Sequence, residues 1–350
     1  MCKGRNIMDK YCIITPTYKP HFKYIKKYLQ SFDKFVVDKD KIVIVFTVDT
    51  DEINDLKQLI EPFTSKVNIV CIDFNKILQD NHVYMSSSDV LTKYGKYSFQ
   101  SLKKIYTMLS IDADKFLVLD SETTWIKPTS MEELFQTYFK KPTIWGSYVN
   151  RKQLNPFLCN LQDNMAYIYD FDVNFWFLEN FMWFYDKKIL INLFDEYGSP
   201  FDLVDKVFKN KYKDGIFEIL LYYNYILKNL ERYNYSFINV VDYAKNNLEA
   251  QVWDNYYFNW MEKFGGCCGV LEHTMALVNK ENVVDFANLF KKLGFNIIRS
   301  EGKRNINEQL KFVEICQPNI LAASQDNVFV KKSWRLRSRI LKFLSGLFNR

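Results

Sequence analysis

The stretch KFLVLDSETTWIKP at residues 115–128 carries the pattern that decides the fold of this chain. Residues 116–119 form an apolar run of strand length, which leads directly into Asp120, Ser121 and Glu122. Because residues i and i+2 of an extended backbone point to the same side, we expect Asp120 and Glu122 to face one ligand. Open α/β sheets bind ligands at the carboxyl ends of their strands, where paired carboxylates suit a hard divalent cation that carries a nucleotide's phosphates.

Strand and helix patterns alternate along the chain before this stretch. Uniformly apolar runs predict strands, and apolar residues at a spacing of three and four predict helices. The strands are predicted at 11–15, 42–48 and 67–72, and the helices at 21–35, 52–60 and 97–110. Repeated β-α units of this kind are typical of a mostly parallel, Rossmann-like α/β sheet that is flanked by helices.

After residue 128 the pattern changes to dense aromatic residues. Strands are predicted at 143–149, 174–185, 236–241 and 295–299, and helices at 187–197, 201–211, 217–230, 283–293 (with Gly294 as its C-cap) and 307–316. We therefore predict one domain over residues 1–326, with a nucleotide-binding half at about 10–128 and a second half at about 129–326 that forms the other wall of a cleft. Residues 327–350 form a separate tail.

The composition indicates a folded protein of a reducing compartment. Hydrophobic residues make up 48% of the 350 residues, which is enough for a packed core. The seven cysteines are odd in number and lack the spacing of metal ligands or of a disulfide framework. No run approaches the roughly 18 apolar residues of a membrane span, and the N-terminus lacks the apolar segment of a signal peptide, so we expect a cytoplasmic location.

The tail at 327–350 is basic and amphipathic. It contains seven lysine and arginine residues and no acidic residue, in a chain whose net charge is +6. Tryptophan, leucine, isoleucine and phenylalanine alternate with these charges, which is typical of a helix that lies on an anionic membrane surface. We expect peripheral association with the inner face of the plasma membrane. A helix that docks on a partner protein is the alternative, and the apolar content argues against nucleic acid as the partner.

Two motifs give the chain a resemblance to a known family. The first is TPTY at residues 15–18, at the end of the first strand, and the second is LDSETTWIKP at residues 119–128. In this order they resemble GT-A fold nucleotide-sugar glycosyltransferases of the bacterial surface-polysaccharide type. The segment FEILLYYNY at residues 217–225 is similar to an acidic, tyrosine-bearing helix that these enzymes place beside the acceptor. Glu122 departs from the family's D-x-D signature, whose third position is aspartate.

The resemblance implies transfer of a sugar from a nucleotide-sugar donor to a hydroxyl of a surface glycan, such as a capsule or lipopolysaccharide, with a glycan or lipid-linked glycan as acceptor. Asp120 and Glu122 would hold Mn²⁺ or Mg²⁺ across the donor's phosphates, and His273 would be a further metal ligand. The residues expected to contact the donor are Thr15, Thr17, Tyr18, Asp49, Asp120 and Ser121.

Glu218 is the candidate catalytic base. Its neighbours in the helix are almost all apolar or aromatic, so its carboxylate should be buried and should need a partner. The resemblance implies that it takes the proton of the acceptor hydroxyl if the reaction inverts the anomeric centre. Asp214 is the alternate base. The structural alternative is a glutamate that the helix dipole favours in a first turn.

Alternative interpretations stay open for the other residues and for the function. Asp120 and Glu122 could form a solvated turn, and His273 could be structural. The aromatic residues Trp176, Trp183 and Tyr185 are interpreted mainly as core rather than as a sugar-stacking surface. The alternative functions are a sugar nucleotidyltransferase, whose Gly-rich basic loop the first strand lacks, and a non-catalytic sugar- or partner-binding protein.

Overall fold

A computed structural model describes residues 10–148, 156–172, 175–177, 182–210, 215–254, 280–300 and 306–323. Its strands are β1 (Tyr11–Pro16), β2 (Val43–Val48), β3 (Asn68–Asp73), β4 (Lys115–Val118), β5 (Thr123–Trp125), β6 (Thr143–Tyr148), β7 (Phe175–Trp176), β8 (Phe184–Asp186), β9 (Ser236–Asn239), β10 (Ile297–Ser300) and β11 (Ile320–Ala323). Its α-helices are α1 (Phe22–Phe35), α2 (Ile53–Ile60), α3 (Phe74–Asp80), α4 (Ser87–Ser110), α5 (Met131–Lys140), α6 (Pro156–Tyr169), α7 (Lys187–Tyr197), α8 (Pro200–Lys209), α9 (Glu218–Lys228), α10 (Val240–Asn247), α11 (Val283–Leu293) and α12 (Ile306–Cys316).

The central sheet has the strand order β3-β2-β1-β4-β8. Strands β1 to β4 run parallel, and β8 lies antiparallel to β4 at the edge. Ile13 of β1 is in register with Ile44 on one side and Leu117 on the other, and all three side chains are fully buried. Strands that are apolar on both faces need helices on both faces, which confirms the predicted mostly parallel α/β sheet flanked by helices.

Two small sheets surround the central one. The order in the first is β10-β11-β5, so the segment directly after Glu122 pairs with a strand near the end of the described chain. Trp125 of β5 is fully buried, with its ring edge-on to Tyr28 at 5.0 Å and to Phe32 at 4.9 Å between centroids. These contacts anchor one side of the turn that follows β4. The second small sheet has the order β7-β6-β9.

The second half of the chain differs from its predicted pattern in one segment. The sequence predicts a single strand over 174–185, but the described residues of this segment contain β7 and the start of β8. These strands belong to different sheets, since β7 pairs with β6 and β8 with β4. An aromatic run indicates that a segment is buried, but it does not indicate with which strand the segment pairs. Because β8 completes the central sheet, that sheet crosses the predicted boundary at residue 128.

Within the described ranges, the helices are too short or too polar to span a lipid bilayer. The basic tail at 327–350 lies outside the described residues. Its contact with an anionic membrane surface therefore stays a prediction.

Candidate functional site

The chain reverses direction directly after the central strand. The backbone N–H of Thr123 donates to the carbonyl oxygen of Asp120 at 3.1 Å, which closes a turn with Ser121 and Glu122 at its centre. The prediction of an extended backbone at residues 120–122 is therefore wrong, because a hydrogen bond from residue i+3 to residue i requires the chain to fold back. The two acids nevertheless lie at the carboxyl end of β4, where the parallel sheet places its ligand edge.

His21 lies beside both carboxylates. Its Nδ1 atom is 3.2 Å from the Ser121 hydroxyl oxygen and 3.8 Å from Glu122 Oε2. Burial lowers the pKa of His21 below 6.5, and the negative charge of Asp120 offsets this only in part. The imidazole is therefore mostly neutral at pH 7, so it can hydrogen-bond the Ser121 hydroxyl without adding a full positive charge.

The position of His21 follows from the topology rather than from a motif. This residue directly precedes α1 and follows β1, and β1 and β4 are parallel neighbours. Their carboxyl ends therefore meet at one edge of the sheet. His21 was not predicted from the sequence, although the parallel strands that place Asp120 at this edge also place the residues after β1 there.

The predicted donor contact of Thr15 needs correction. Its side chain has no exposed surface, and its hydroxyl oxygen lies 2.9 Å from that of Tyr28 in the core. Both faces of the central sheet are covered, so a residue inside β1 is buried whichever face it points to. With its hydroxyl bonded to Tyr28, Thr15 stabilises the packing of α1 on β1 instead of meeting a ligand.

Thr17 and Tyr18 are placed as a ligand contact would require. The Thr17 hydroxyl is buried, and within the described part of the chain it has no hydrogen-bond partner. A buried hydroxyl without a partner costs free energy, so this atom is suited to receive a bond from a ligand or from water. Tyr18 is 42% exposed, and its ring lies 4.3 Å from the His21 ring between centroids.

A buried lysine connects the ends of β1 and β2. Lys103 of α4 is 3% exposed, and its ammonium group donates to the Thr17 carbonyl at 3.1 Å and lies 3.4 Å from Asp49 Oδ1. Burial lowers the pKa of Lys103, and the attraction of Asp49 and Glu52 offsets this only in part. Asp49, a predicted donor contact, is thus held at this edge by a cation.

The sequence carries a signal for a buried Lys103 that was not among the predicted site residues. In the helical pattern of 97–110, this residue lies four positions after Phe99 and three before Tyr106, which places it on the apolar face. A lysine on such a face needs a carboxylate or carbonyl partner. The partner cannot be named from the helix alone.

Replacing Lys103 by Met is expected to remove a pH dependence of stability. Because folding lowers the pKa of Lys103 below 10.5, the unfolded chain binds a proton that the folded chain releases between the two values. The contribution of Lys103 to the free energy of unfolding should therefore rise with pH between the folded and the unfolded pKa, and level off above the unfolded pKa. Urea titrations from neutral pH to about pH 10.5 would measure it. If the free energy of unfolding of wild type minus that of Lys103→Met stayed constant or fell with pH, the lowered pKa of Lys103 would be contradicted.

Glu218 is buried in an ion pair. It is 1% exposed, one carboxylate oxygen contacts the ammonium group of Lys104, and the other accepts from the Ser101 hydroxyl at 2.8 Å. The Ser101 oxygen in turn accepts from the Glu218 backbone N–H at 3.1 Å. The predicted burial and the predicted need for a partner are confirmed.

A general base must contact the acceptor hydroxyl. Since this carboxylate has no exposed surface, the geometry gives the general-base role no support.

The remaining predicted residues divide into two groups. Asp214 and His273 lie outside the described residues, so their roles stay predictions. The aromatic residues Trp176, Trp183 and Tyr185 are 2%, 4% and 0% exposed, which supports their interpretation as core.

Asp120 and Glu122 are the carboxylates that could hold a metal. Across the ranges that the structure describes, no three histidine, cysteine, aspartate or glutamate side chains form a metal-binding group. A cation here would have at most two protein carboxylates, with other ligands from water or phosphate. Mg²⁺ is commonly held in this way, and hard oxygen donors also suit Mn²⁺, so the donor set fits these ions.

Comparisons with known proteins find similarity in structure but not in sequence. No protein-family model matches the chain, and no curated protein matches it. Mouse xyloside xylosyltransferase 1, in its apo form, is similar over 75% of this chain and 95% of its own, with 13% identity and a TM-score of 0.41. TarS of S. aureus is similar over 81% of this chain and 48% of its own, with 14% identity and a TM-score of 0.35. Both TM-scores are below 0.5, so the account of this site rests on its own geometry.

Proposed function

We propose that this protein is a glycosyltransferase that moves a sugar from a nucleotide-diphosphate sugar to a hydroxyl group of a glycan. The observation that carries the proposal is the turn at residues 120–123, which presents Asp120 and Glu122 at the carboxyl end of the central parallel strand. Parallel α/β sheets bind nucleotides at this edge. Two nearby acids match the charge of a cation and a diphosphate.

The ends of β1 and β2 would hold the nucleoside part of the donor. The buried Thr17 hydroxyl can hydrogen-bond a ribose or base, and the exposed Tyr18 ring can stack on a planar group. Lys103 fixes the Thr17 carbonyl and the Asp49 carboxylate relative to each other. This arrangement orders the ends of β1 and β2 before the donor arrives, which lowers the entropy cost of binding.

Asp120 and Glu122 would hold Mg²⁺ or Mn²⁺ at the donor's phosphates. Such an ion, when bound, stabilises the negative charge that develops as the nucleoside diphosphate leaves. The longer side chain of Glu122 is compatible with this role, because the turn, rather than an extended strand, sets its distance from Asp120. His21 and the buried Ser121 contact each other at 3.2 Å and would hold the turn in place.

Glu218 would act as a positioning residue rather than as the base. Its ion pair with Lys104 and its two hydrogen bonds with Ser101 connect α9 to α4. Helix α4 also carries Lys103, so the same helix supports the wall that would bind the nucleoside. On this proposal, the fold of the second half fixes the shape of the donor side.

We further propose that the acceptor is a surface glycan or its lipid-linked precursor. This finer proposal rests on the resemblance of residues 119–128 to surface-polysaccharide enzymes and on the basic amphipathic tail at 327–350. A lipid-linked acceptor would bring the enzyme to the membrane, where such a tail would contact anionic lipid.

A donor screen tests the function. The full-length protein is incubated with a panel of uridine, guanosine, cytidine and thymidine nucleotide sugars, with Mn²⁺, with Mg²⁺ or with EDTA, and released nucleotide is quantified by chromatography. We expect one nucleotide class to be turned over, and turnover to fall in EDTA. Reaction only of a nucleoside triphosphate with a sugar phosphate would favour a nucleotidyltransferase. Failure to bind or turn over any donor would favour a binding protein.

A further inference from the structure

A cavity with a mixed polar and apolar lining lies at the other end of the central strands, where β4 begins. Its volume is about 510 Å³, within the range of small-molecule sites. It opens at the start of β4 and the end of β8, whereas the candidate donor site lies at the end of β4. With a rise of about 3.3 Å per strand residue, the three steps of β4 from Lys115 to Val118 span about 10 Å, and the turn at residues 120–123 lies beyond that end. The cavity is therefore separate from the site proposed for the donor.

The lining of this cavity has an excess of positive charge. Its charged side chains are Lys115, Lys188, Arg232 and Asp186. Asp186 is already engaged, because its carboxylate accepts from the Lys115 ammonium at 2.6 Å and from the Lys188 backbone N–H at 2.9 Å. The Lys188 ammonium group has no partner among the described residues. Arg232 is half exposed, donates to the Tyr225 hydroxyl at 3.3 Å and lies 5.4 Å from the centroid of the Tyr233 ring. It also lies 3.7 Å from Glu196, a distance at which an exposed pair contributes little.

Helix α7 adds to this positive potential. It begins at Lys187 directly after its N-cap Asp186, and its first turn contains no acidic residue. A lysine in the first turn of a helix is electrostatically unfavourable, because the helix N-terminus itself carries partial positive charge. The N-cap carboxylate of Asp186 offsets part of this cost, and an anion bound between Lys188 and Arg232 would offset more of it. The charges therefore favour a ligand with a carboxylate or phosphate group.

The neutral part of the lining is suited to a sugar. The Asn192 side chain donates to the Tyr233 hydroxyl at 3.1 Å, and the exposed Asn234 amide faces the same cavity. The rings of Phe139 and Tyr233 lie next to these amide and hydroxyl groups, and each has a cation over one face: Lys115 over Phe139 at 4.9 Å and Arg232 over Tyr233 at 5.4 Å. Their other surface is apolar. Aromatic faces pack on the apolar face of a sugar ring while the polar groups bind its hydroxyls.

We propose that this cavity is an accessory binding site for an acidic saccharide, with its carboxylate between Lys188 and Arg232. The proposal goes beyond the proposed transferase function and does not depend on it, because neither residue belongs to the donor edge. In a glycosyltransferase, such a site would hold a distant unit of an acidic glycan.

Calorimetric titration of the full-length protein tests the site. The probes are the linear trimer of galacturonate, a neutral linear trimer of galactose and inorganic phosphate, all at low salt. We expect the acidic trimer to bind at least about tenfold more tightly than the other two, and the Lys188→Gln/Arg232→Gln variant to lose about tenfold or more in affinity. The control variant Lys141→Gln/Lys245→Gln removes two exposed lysines outside the cavity and should bind as wild type does.

Three results would overturn the proposal. The first is no measurable binding of the acidic trimer to wild type, and the second is equal binding by the Lys188→Gln/Arg232→Gln variant. The third is equal affinity for inorganic phosphate, which would reduce the cavity to a simple anion site. The donor screen is run on the same variants. Since they leave the donor edge intact, their turnover of free donor should be unchanged, which separates this test from that of the proposed function.

Discussion

The double variant Asp120→Asn/Glu122→Gln is expected to turn over the sugar donor about 10²- to 10³-fold more slowly than wild type, or not at all. Both changes keep side-chain size and remove charge, so the site loses its ability to hold a cation at the diphosphate. The backbone hydrogen bond from Thr123 to Asp120 that closes the turn is untouched. The measurement is steady-state release of nucleoside diphosphate at saturating Mn²⁺, with the donor found in the screen.

A matched control separates this loss from a general effect of charge. Asp112 and Glu231 are exposed acids away from the donor edge, and Asp112 forms an ion pair with the exposed Lys10. The variant Asp112→Asn/Glu231→Gln carries the same change in net charge and should keep wild-type turnover, because exposed ion pairs contribute little. If both double variants were equally active, the two acids of the turn would have no role in transfer.

The second large effect concerns stability. Glu218→Gln is expected to lower the free energy of unfolding by about 3–5 kcal/mol, because it leaves the Lys104 ammonium buried without a compensating charge. The buried Ser101 hydroxyl also loses a charged acceptor. Urea denaturation followed by circular dichroism measures the change.

A double-mutant cycle identifies the ion pair as the cause. Lys104→Met alone should also be strongly destabilising, whereas Lys104→Met/Glu218→Leu should recover most of the loss, since an apolar pair of similar volume replaces the two charges. A Glu218→Gln variant that keeps its stability but loses transfer would contradict the positioning role, and would instead indicate a general base.

Much of the fold is predictable from the sequence because its core strands are apolar on both faces. The runs at β1 and β2 permit few alternatives, and helices α7 and α11 have the predicted bounds. The turn at residues 120–123 is different. Its neighbour β5 pairs with β11, far along the chain, and no local pattern indicates such a partner.

The candidate site was predictable in part. The edge that would bind a ligand follows from the parallel strands, and Asp120, Glu122, Thr17 and Asp49 all lie there. The roles of buried charges were harder to predict, because they depend on which side chain meets them in space. Glu218 alone suggested a base, and only the packing of α9 on α4 revealed its ion pair.

Calorimetric titration of nucleoside diphosphates measures whether the acids after the central strand bind a diphosphate through a cation. Wild type and the Asp120→Asn/Glu122→Gln variant are each titrated with uridine, guanosine and cytidine diphosphate, in Mn²⁺ and in EDTA. We predict that wild type binds one of the nucleoside diphosphates at least about tenfold more tightly in Mn²⁺ than in EDTA, and that the variant loses this difference. Equal affinity of wild type and variant, in Mn²⁺ and in EDTA alike, would contradict binding of the diphosphate through a cation at Asp120 and Glu122.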